Sequence, residues 1–476
     1  MKLLATMAAI ALALAASLPL RSAARQESVS QPNILVIIAD DWSHPHAGAY
    51  GDEVVRTPTF DRLAREGVLF RNAFVASPSC TPSRASLLTG RPVHQLEEGG
   101  NLWGFLPARF DTYPDLLEAA GYVVGFTRKG WGPGDFKEGG RGRNPAGRQF
   151  ANFAAFVEQL PKERPFAFWF GSQDPHRPYD KGAGVAAGHR IEDVVVPGFL
   201  PDTPEVRSDI LDYYYEVERL DREAGEIIKA LESSGQLDNT VVVFTSDNGM
   251  PFPRAKANLH DGGTHVPLAI RFPPRVKTPG ALDDFVVLTD LAPTLLEAAG
   301  MKPPPQMTGR SLLPLMAGTR QPGRDRVFLE RERHAHVRRG NLSYPARAVR
   351  TKDFLYIRNL RPDRWPAGDP EMVYAVGDFG DIDGGPTKEL LLTRWSDPAI
   401  APFFHLATDK RPAEELYDLR KDPYQRENVA ARPAHAAEKR KLRAALDAWM
   451  RQTGDPRFAD DDDRWDAYPY FGKPGR

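Results

Sequence analysis

The chain of 476 residues keeps one cysteine, Cys80, in the run Ser77-Pro78-Ser79-Cys80-Thr81-Pro82-Ser83-Arg84. A lone cysteine cannot close an internal disulfide, so it is either a small buried hydrophobe or a group with chemistry of its own. Arg84 follows at a spacing of about one helical turn, close enough to hold a nucleophile at position 80. Asp40-Asp41 and Asp247-Asn248 offer oxygen donors alone. Oxygen-only sites favour hard ions, calcium or magnesium, over zinc.

These groups share a position relative to the elements that must carry them. Asn33 to Ala39 is a short, β-branched, almost wholly apolar run of the kind buried in parallel sheets, and it ends in Asp40-Asp41. Phe166 to Phe170 leads into Gln173-Asp174-Pro175-His176, and Thr240 to Thr245 ends in Ser246-Asp247-Asn248-Gly249. Ligands of open α/β sheets lie beyond the carboxyl ends of the strands. Asp40, Asp41, His176, Asp247 and Asn248 are therefore expected in one site. Thr57-Pro58 starts a helix that Gly67 closes, another covers Asp209 to Ser233, and Ala85 to Leu88 opens one after the cysteine loop. Alternating strands and helices predict an α/β fold, a large mostly parallel sheet flanked by helices. Past Pro345 the texture changes to two short strands around Thr351-Lys352-Asp353, a further strand at Glu414 to Leu419 and a helix from Ala434. The expected organisation is a catalytic domain over 30–345 and a smaller C-terminal α+β domain over 346–476. Asp460 to Asp463 reads as a solvated turn.

The net charge of −1 gives no global basic field for nucleic acid or anionic lipid, so any anion recognition must be local. Met1-Lys2, an apolar run from Leu3 to Leu20 and the small residues Ser22-Ala23-Ala24 read as a secretory signal peptide over 1–24. The mature chain is then expected in the periplasm or outside the cell, with no stable membrane span after cleavage.

Cys80-Thr81-Pro82-Ser83-Arg84, with Leu88-Thr89-Gly90 after it, resembles the signature of the type I sulfatases of the alkaline-phosphatase-like superfamily. In that family the cysteine is oxidised to formylglycine by a maturation enzyme that recognises Cys-x-Pro-x-Arg. The resemblance implies covalent catalysis by the aldehyde hydrate: one hydroxyl attacks sulfur, and the second loses its proton to expel sulfate. It implies Ca2+, with Mg2+ as the alternative, held by Asp40, Asp41, Asp247, Asn248 and the Cys80-derived group, and a nucleophile oriented by Arg84. A cation there lowers the nucleophile's pKa and neutralises sulfate charge. Lys129 falls where the family has a lysine that touches nucleophile and sulfate. Lys256 matches the Lys-x4-Glu-Gly-Gly lysine, with Asp261 in place of the glutamate, and His176 matches a histidine that bonds sulfate or the leaving oxygen. Glu415-Leu416-Tyr417-Asp418-Leu419 looks like the family's C-terminal signature. Ser246 to Pro253 and Tyr344 to Thr351 are similar to the heparan N-sulfatase (sulfamidase) branch. A sulfated saccharide substrate, desulfated at oxygen or nitrogen, is the implied partner.

Two positions depart from the family. Trp131 and Gln173 stand where many relatives have histidines, so the proton-transfer roles need other carriers. His176, His260, His265, His334 and His336 remain. His260 is the expected substitute because it follows Lys256 closely, and His334 and His336 are expected near the substrate mouth. Two alternatives accompany this reading: a phosphoester or phosphonate hydrolase of the same superfamily, and a catalytically silent carbohydrate-binding relative.

Overall fold

The computed structural model describes residues 31–476 apart from 162–163, 278, 460–461 and 475–476. The expected signal peptide, 1–24, lies outside the described residues. Twelve strands are present among the described residues: β1 Asn33–Ala39, β2 Val68–Phe74, β3 Val123–Arg128, β4 Arg148–Phe150, β5 Phe166–Gly171, β6 Thr240–Ser246, β7 Leu268–Arg271, β8 Gly280–Val287, β9 Arg326–Arg331, β10 Ala346–Thr351, β11 Phe354–Asn359 and β12 Glu414–Asp418. The first eight form one sheet in the order β4-β3-β5-β1-β6-β7-β2-β8. Every pairing in it is parallel except those of β7, which runs antiparallel to β6 and β2.

β1 shows why the sheet needs cover on both faces. Leu35, Ile37 and Ala39 pack on one side with Val206, Ile210, Val217 and Leu220 of the long helix Pro204–Ser233. Ile34, Val36 and Ile38 pack on the other with Leu87 and Leu88 of the helix Cys80–Thr89 and with Leu291 and Leu295. Alternation along the strand sends neighbouring side chains to opposite faces, and an apolar run fills both. The long helix starts ahead of the expected Asp209, at Pro204, where the Thr203 side chain accepts from Val206 N–H.

The helix expected to open at Ala85 in fact begins at Cys80. Pro82 does not delay it, because the ring lies in the first turn, where an N–H has no intrahelical partner to lose.

The smaller sheet is antiparallel, in the order β12-β11-β10-β9. β9 pairs with β10, so its hydrogen bonds cross the expected boundary at 345/346. One face packs Leu329, Ala348, Leu355 and Ile357 against Phe74 and Phe285 of the large sheet. The other packs Val349, Tyr356 and Leu416 against Leu442, Leu446 and Met450 of the helix Ala436–Thr453. Of the expected turn, Asp460 and Asp461 lie outside the described residues. Asp463 is not simply solvated: 36% exposed, it is ion-paired to Arg361 at 2.8 Å, to Arg364 at 3.4 Å and to Arg457.

Candidate active site

β1, β5 and β6 lie side by side, so their carboxyl ends deliver Asp40-Asp41, the segment Gln173–His176 and Asp247-Asn248 to one place. Asp41 turns the chain with a φ of 80°, a left-handed conformation uncommon for any residue but glycine. Its N–H donates to Asp247 Oδ1 at 3.1 Å, tying the two acidic segments together. Gly249 closes the second segment where a side chain would strike the Gly262 carbonyl.

The helix Cys80–Thr89 presents Cys80 at its N-terminus, buried, with Sγ 3.5 Å from Asp40 Oδ1. Arg84, one turn along, is fully buried. Its Nε donates to Asp247 Oδ2 at 2.7 Å, and its Nη1 donates to the carbonyls of Lys129 at 3.1 Å and Gly130 at 2.9 Å. Lys129 Nζ donates to both oxygens of Asp40 at 2.6 Å. Lys256 Nζ donates to Asp41 Oδ2 at 2.7 Å and to Asp383 Oδ2 at 3.0 Å. His176 lies toward the surface, with Nε2 3.9 Å from Asp41 Oδ2 and its side chain 37% exposed.

Burial raises the pKa of Cys80 well above the ordinary thiol value, and Lys129 only partly opposes it. The group is a neutral thiol, not a thiolate. Burial also works against the charge on Asp40, but Lys129, His176 and Arg84 outweigh it and hold the carboxylate ionised. For Asp41 burial wins, with Asp40 adding to it, and the pKa is pushed up to about 6 despite Lys256 and His176. Asp40, Asp41, Asp247 and Cys80 bring ligand atoms within 4.8 Å of one another. Asn248 Nδ2 donates to Asp41 Oδ1 at 2.6 Å, whereas Asn248 Oδ1 is buried without a hydrogen-bond partner. Three buried carboxylates beside an unpartnered carbonyl oxygen fit a hard cation.

The histidines divide. His334 comes to the site: its Nδ1 lies 2.8 Å from the hydroxyl of Ser79, the residue before Cys80, and burial pushes its pKa down to about 4. His260 does not, although it follows Lys256 closely. The backbone turns at Ala257, φ 61°, and His260 points to Tyr417 OH at 3.4 Å and Glu415 at 3.8 Å. Burial and the nearby Arg254 push its pKa down to about 3. His265 stacks on His44 at 3.9 Å and on Phe74 at 4.5 Å, and His336 stacks on Tyr374 at 4.4 Å. Trp131 is a buried core residue whose backbone is bracketed by the Asn144 amide, and Gln173 is exposed.

Sequence reasoning missed two contributors. Ser79 borders the recognised motif. Asp383 lies in Asp381-Ile382-Asp383-Gly384-Gly385, where two acids before paired glycines were the only local signal.

Comparison with known proteins gives these features a context. The sulfatase family profile matches residues 32–153 and 148–301, and the profile "N-sulphoglucosamine sulphohydrolase, C-terminal" matches 255–369. The human N-sulphoglucosamine sulphohydrolase is 32% identical over 474 residues, covering 89% of this chain and 91% of the relative. An ulvan-active sulfatase of Formosa agariphila is 27% identical, over 89% of this chain and 76% of the relative. Among solved structures, a protein in complex with its substrate D-glucosamine-2-N,6-O-disulfate superposes with a TM-score of 0.62 at 19% identity, over 91% of this chain and 100% of that one. The phosphonate monoester hydrolase of Agrobacterium radiobacter gives 0.64 at 20% identity, over 89% and 96%. At those identities the likeness is one of fold.

Proposed function

Because the chain belongs to the sulfatase family, and is a sulfuric ester hydrolase on that account, we propose that it removes sulfate from sulfated saccharides, with the N-sulfate of glucosamine as the first substrate to test. The substrate proposal rests on the human relative and on the C-terminal profile, both of which carry the N-sulphoglucosamine name.

The observation that carries the mechanism is the setting of Cys80. It is buried at a helix N-terminus, among carboxylates and next to Arg84 and Lys129, and that burial raises the pKa of its thiol. A thiol in that state is a poor nucleophile, and a buried acidic cluster is a poor place to make it a better one. Both facts suit a precursor of formylglycine. The hydrate made from it supplies one hydroxyl to attack sulfur and a second whose deprotonation releases sulfate.

Asp40, Asp41, Asp247 and Asn248 would hold the cation, Ca2+ in this reading, whose contribution is to neutralise charge at sulfur and favour the ionised nucleophile. Arg84 fixes the group at position 80 while its own charge is balanced by Asp247. Lys129 and Lys256 offer ammonium protons to sulfate oxygens from either side of the aspartate pair. Through Ser79, His334 is a neutral imidazole linked to the residue beside the nucleophile, which supports it as the proton carrier in place of the histidine missing at Trp131. His176, partly exposed, is suited to the leaving group. The apolar N-terminal run supports export to the periplasm or the exterior. No described helix is long and apolar enough to cross a membrane.

The test is the mass of the tryptic peptide Asn72 to Arg84 from protein made in its native host, followed by turnover of N-sulfoglucosamine, O-sulfated glucosamine and a phosphate monoester. An aldehyde at position 80 with sulfate release is expected. An unmodified cysteine in active enzyme, or phosphate ester turnover exceeding sulfate turnover, would overturn the reading.

A further inference from the structure

An acid that is not needed for the cation stands at the open side of the site. Asp383 Oδ2 accepts from Lys256 Nζ at 3.0 Å, and its side chain is 18% exposed, against 3% for Asp40 and 0% for Asp41 and Asp247. With Asp41 and His176 it forms a second close group, whose ligand atoms lie within 4.8 Å of one another. Lys256 already lies across Asp41 and Asp383, so the positive charge between those two carboxylates is the lysine's own.

A carboxylate beside an anion site is a liability, because like charge weakens the binding of sulfate. Its retention in a rigid setting needs a use. The setting is rigid: Asp381 pairs with Arg331 at 2.7 Å and with Arg338, and Lys388 Nζ donates to the Ile382 carbonyl at 2.7 Å. Gly385 lies against the Arg177 guanidinium, where a side chain would not fit, and Thr387 Oγ1 donates to Asp209 at 2.6 Å.

Geometry indicates what faces it. Cys80 forms the buried floor, 2% exposed, whereas the side chains of His176 and Asp383 are 37% and 18% exposed, so a saccharide entering from solvent meets these two before it reaches Cys80. We propose that Asp383 is a specificity residue for the departing saccharide, its carboxylate accepting hydrogen bonds from an N–H or O–H donor of the sugar next to the scissile bond. This rests on the saccharide reading above. A site built to bond a donor rejects analogues that lack one far more strongly than an apolar pocket does. Sulfate esters of simple phenols carry no such donor.

The test compares wild type with Asp383→Asn, which keeps an acceptor for Lys256, in matured enzyme, on N-sulfoglucosamine, glucosamine 6-O-sulfate and 4-nitrophenyl sulfate. The ratio of saccharide to aryl kcat/KM is expected to fall at least tenfold in the variant. A fall for the sulfamate alone identifies the donor as its N–H, and a fall for both sugars identifies a hydroxyl. In titrations with D-glucosamine and with inorganic sulfate, the variant is expected to bind the sugar more weakly and the sulfate no more weakly. Equal losses on sugar and aryl substrates, or weaker sulfate binding, would show that Asp383 only holds Lys256 and would overturn the proposal alone. A wild-type enzyme that cleaves the aryl ester and neither sugar overturns the saccharide reading, and this proposal with it, before any variant is compared.

Discussion

Arg84 Nε lies 2.7 Å from Asp247 Oδ2 with both side chains wholly buried, and this pair ties the cysteine helix to the carboxyl end of β6. Removing one member of a buried pair strands the other charge, at about 3–5 kcal/mol. Arg84→Ala should lose that much stability in urea unfolding, besides its turnover. A loss under about 1 kcal/mol would mean that water already screens the pair.

Asn248 Oδ1, buried and unpartnered, should find its partner in a cation. Chelation should lower the melting temperature of the wild type and added Ca2+ should restore it, by about 2.7 kcal/mol at a hundred times the Kd. Asn248→Ala should melt at nearly the same temperature with and without Ca2+ at the same concentration. Equal Ca2+ responses in the two proteins would remove Asn248 from the ligand set.

Cys80→Ser keeps the size of the buried group and removes the thiol that the proposed function takes as the formylglycine precursor. Turnover should fall by about a thousandfold or more, as for loss of a nucleophile. Unfolding midpoints should shift by less than about 1 kcal/mol. Retained turnover would be incompatible with a formylglycine nucleophile.

His260 and His334 separate by experiment as they do in space. His260→Ala leaves Glu415 and Tyr417 short of a partner and should cost about 1–3 kcal/mol of stability, with turnover within about threefold of wild type. His334→Ala should lower kcat by about 100-fold if the imidazole moves a proton. The reverse pattern would return the role to His260.

A buried network away from the site sets a pH dependence. His94 Nδ1 lies 2.7 Å from Glu330 Oε2, near Asp455 and Arg347. Burial opposes its charge, but Glu330 and Asp455 prevail and raise its pKa above the ordinary 6.5. The folded state therefore binds the proton more tightly than the unfolded one. The resulting stability is fully present below pH 6.5 and is lost as pH rises through the raised value. In urea unfolding between about pH 5 and 9, the stability difference between wild type and His94→Gln should shrink as pH rises. A constant difference would show that His94 does not titrate in this range.

What the sequence determined by itself was written in contiguous residues. The strand carrying Asp40-Asp41 and the strand carrying Asp247-Asn248 were legible because their hydrophobic pattern is local, and the end of a strand is where an α/β sheet presents its ligands. The run Cys80 to Arg84 was legible because its five residues are contiguous and resemble a known signature. The tertiary structure decided what depends on distant partners. Lys256 meets Asp383 across 127 residues and Ser79 meets His334 across 255, separations over which no periodicity carries information. It placed His334 against Ser79 and His260 against Tyr417, with a left-handed backbone turn at Ala257 between Lys256 and His260. It started the cysteine helix at Cys80 and not at the expected Ala85, and Pro82 is accommodated there because a first-turn proline gives up no hydrogen bond. It made Asp463 an ion-pair partner because Arg361 and Arg364, about a hundred residues away in sequence, meet it there beside the nearby Arg457.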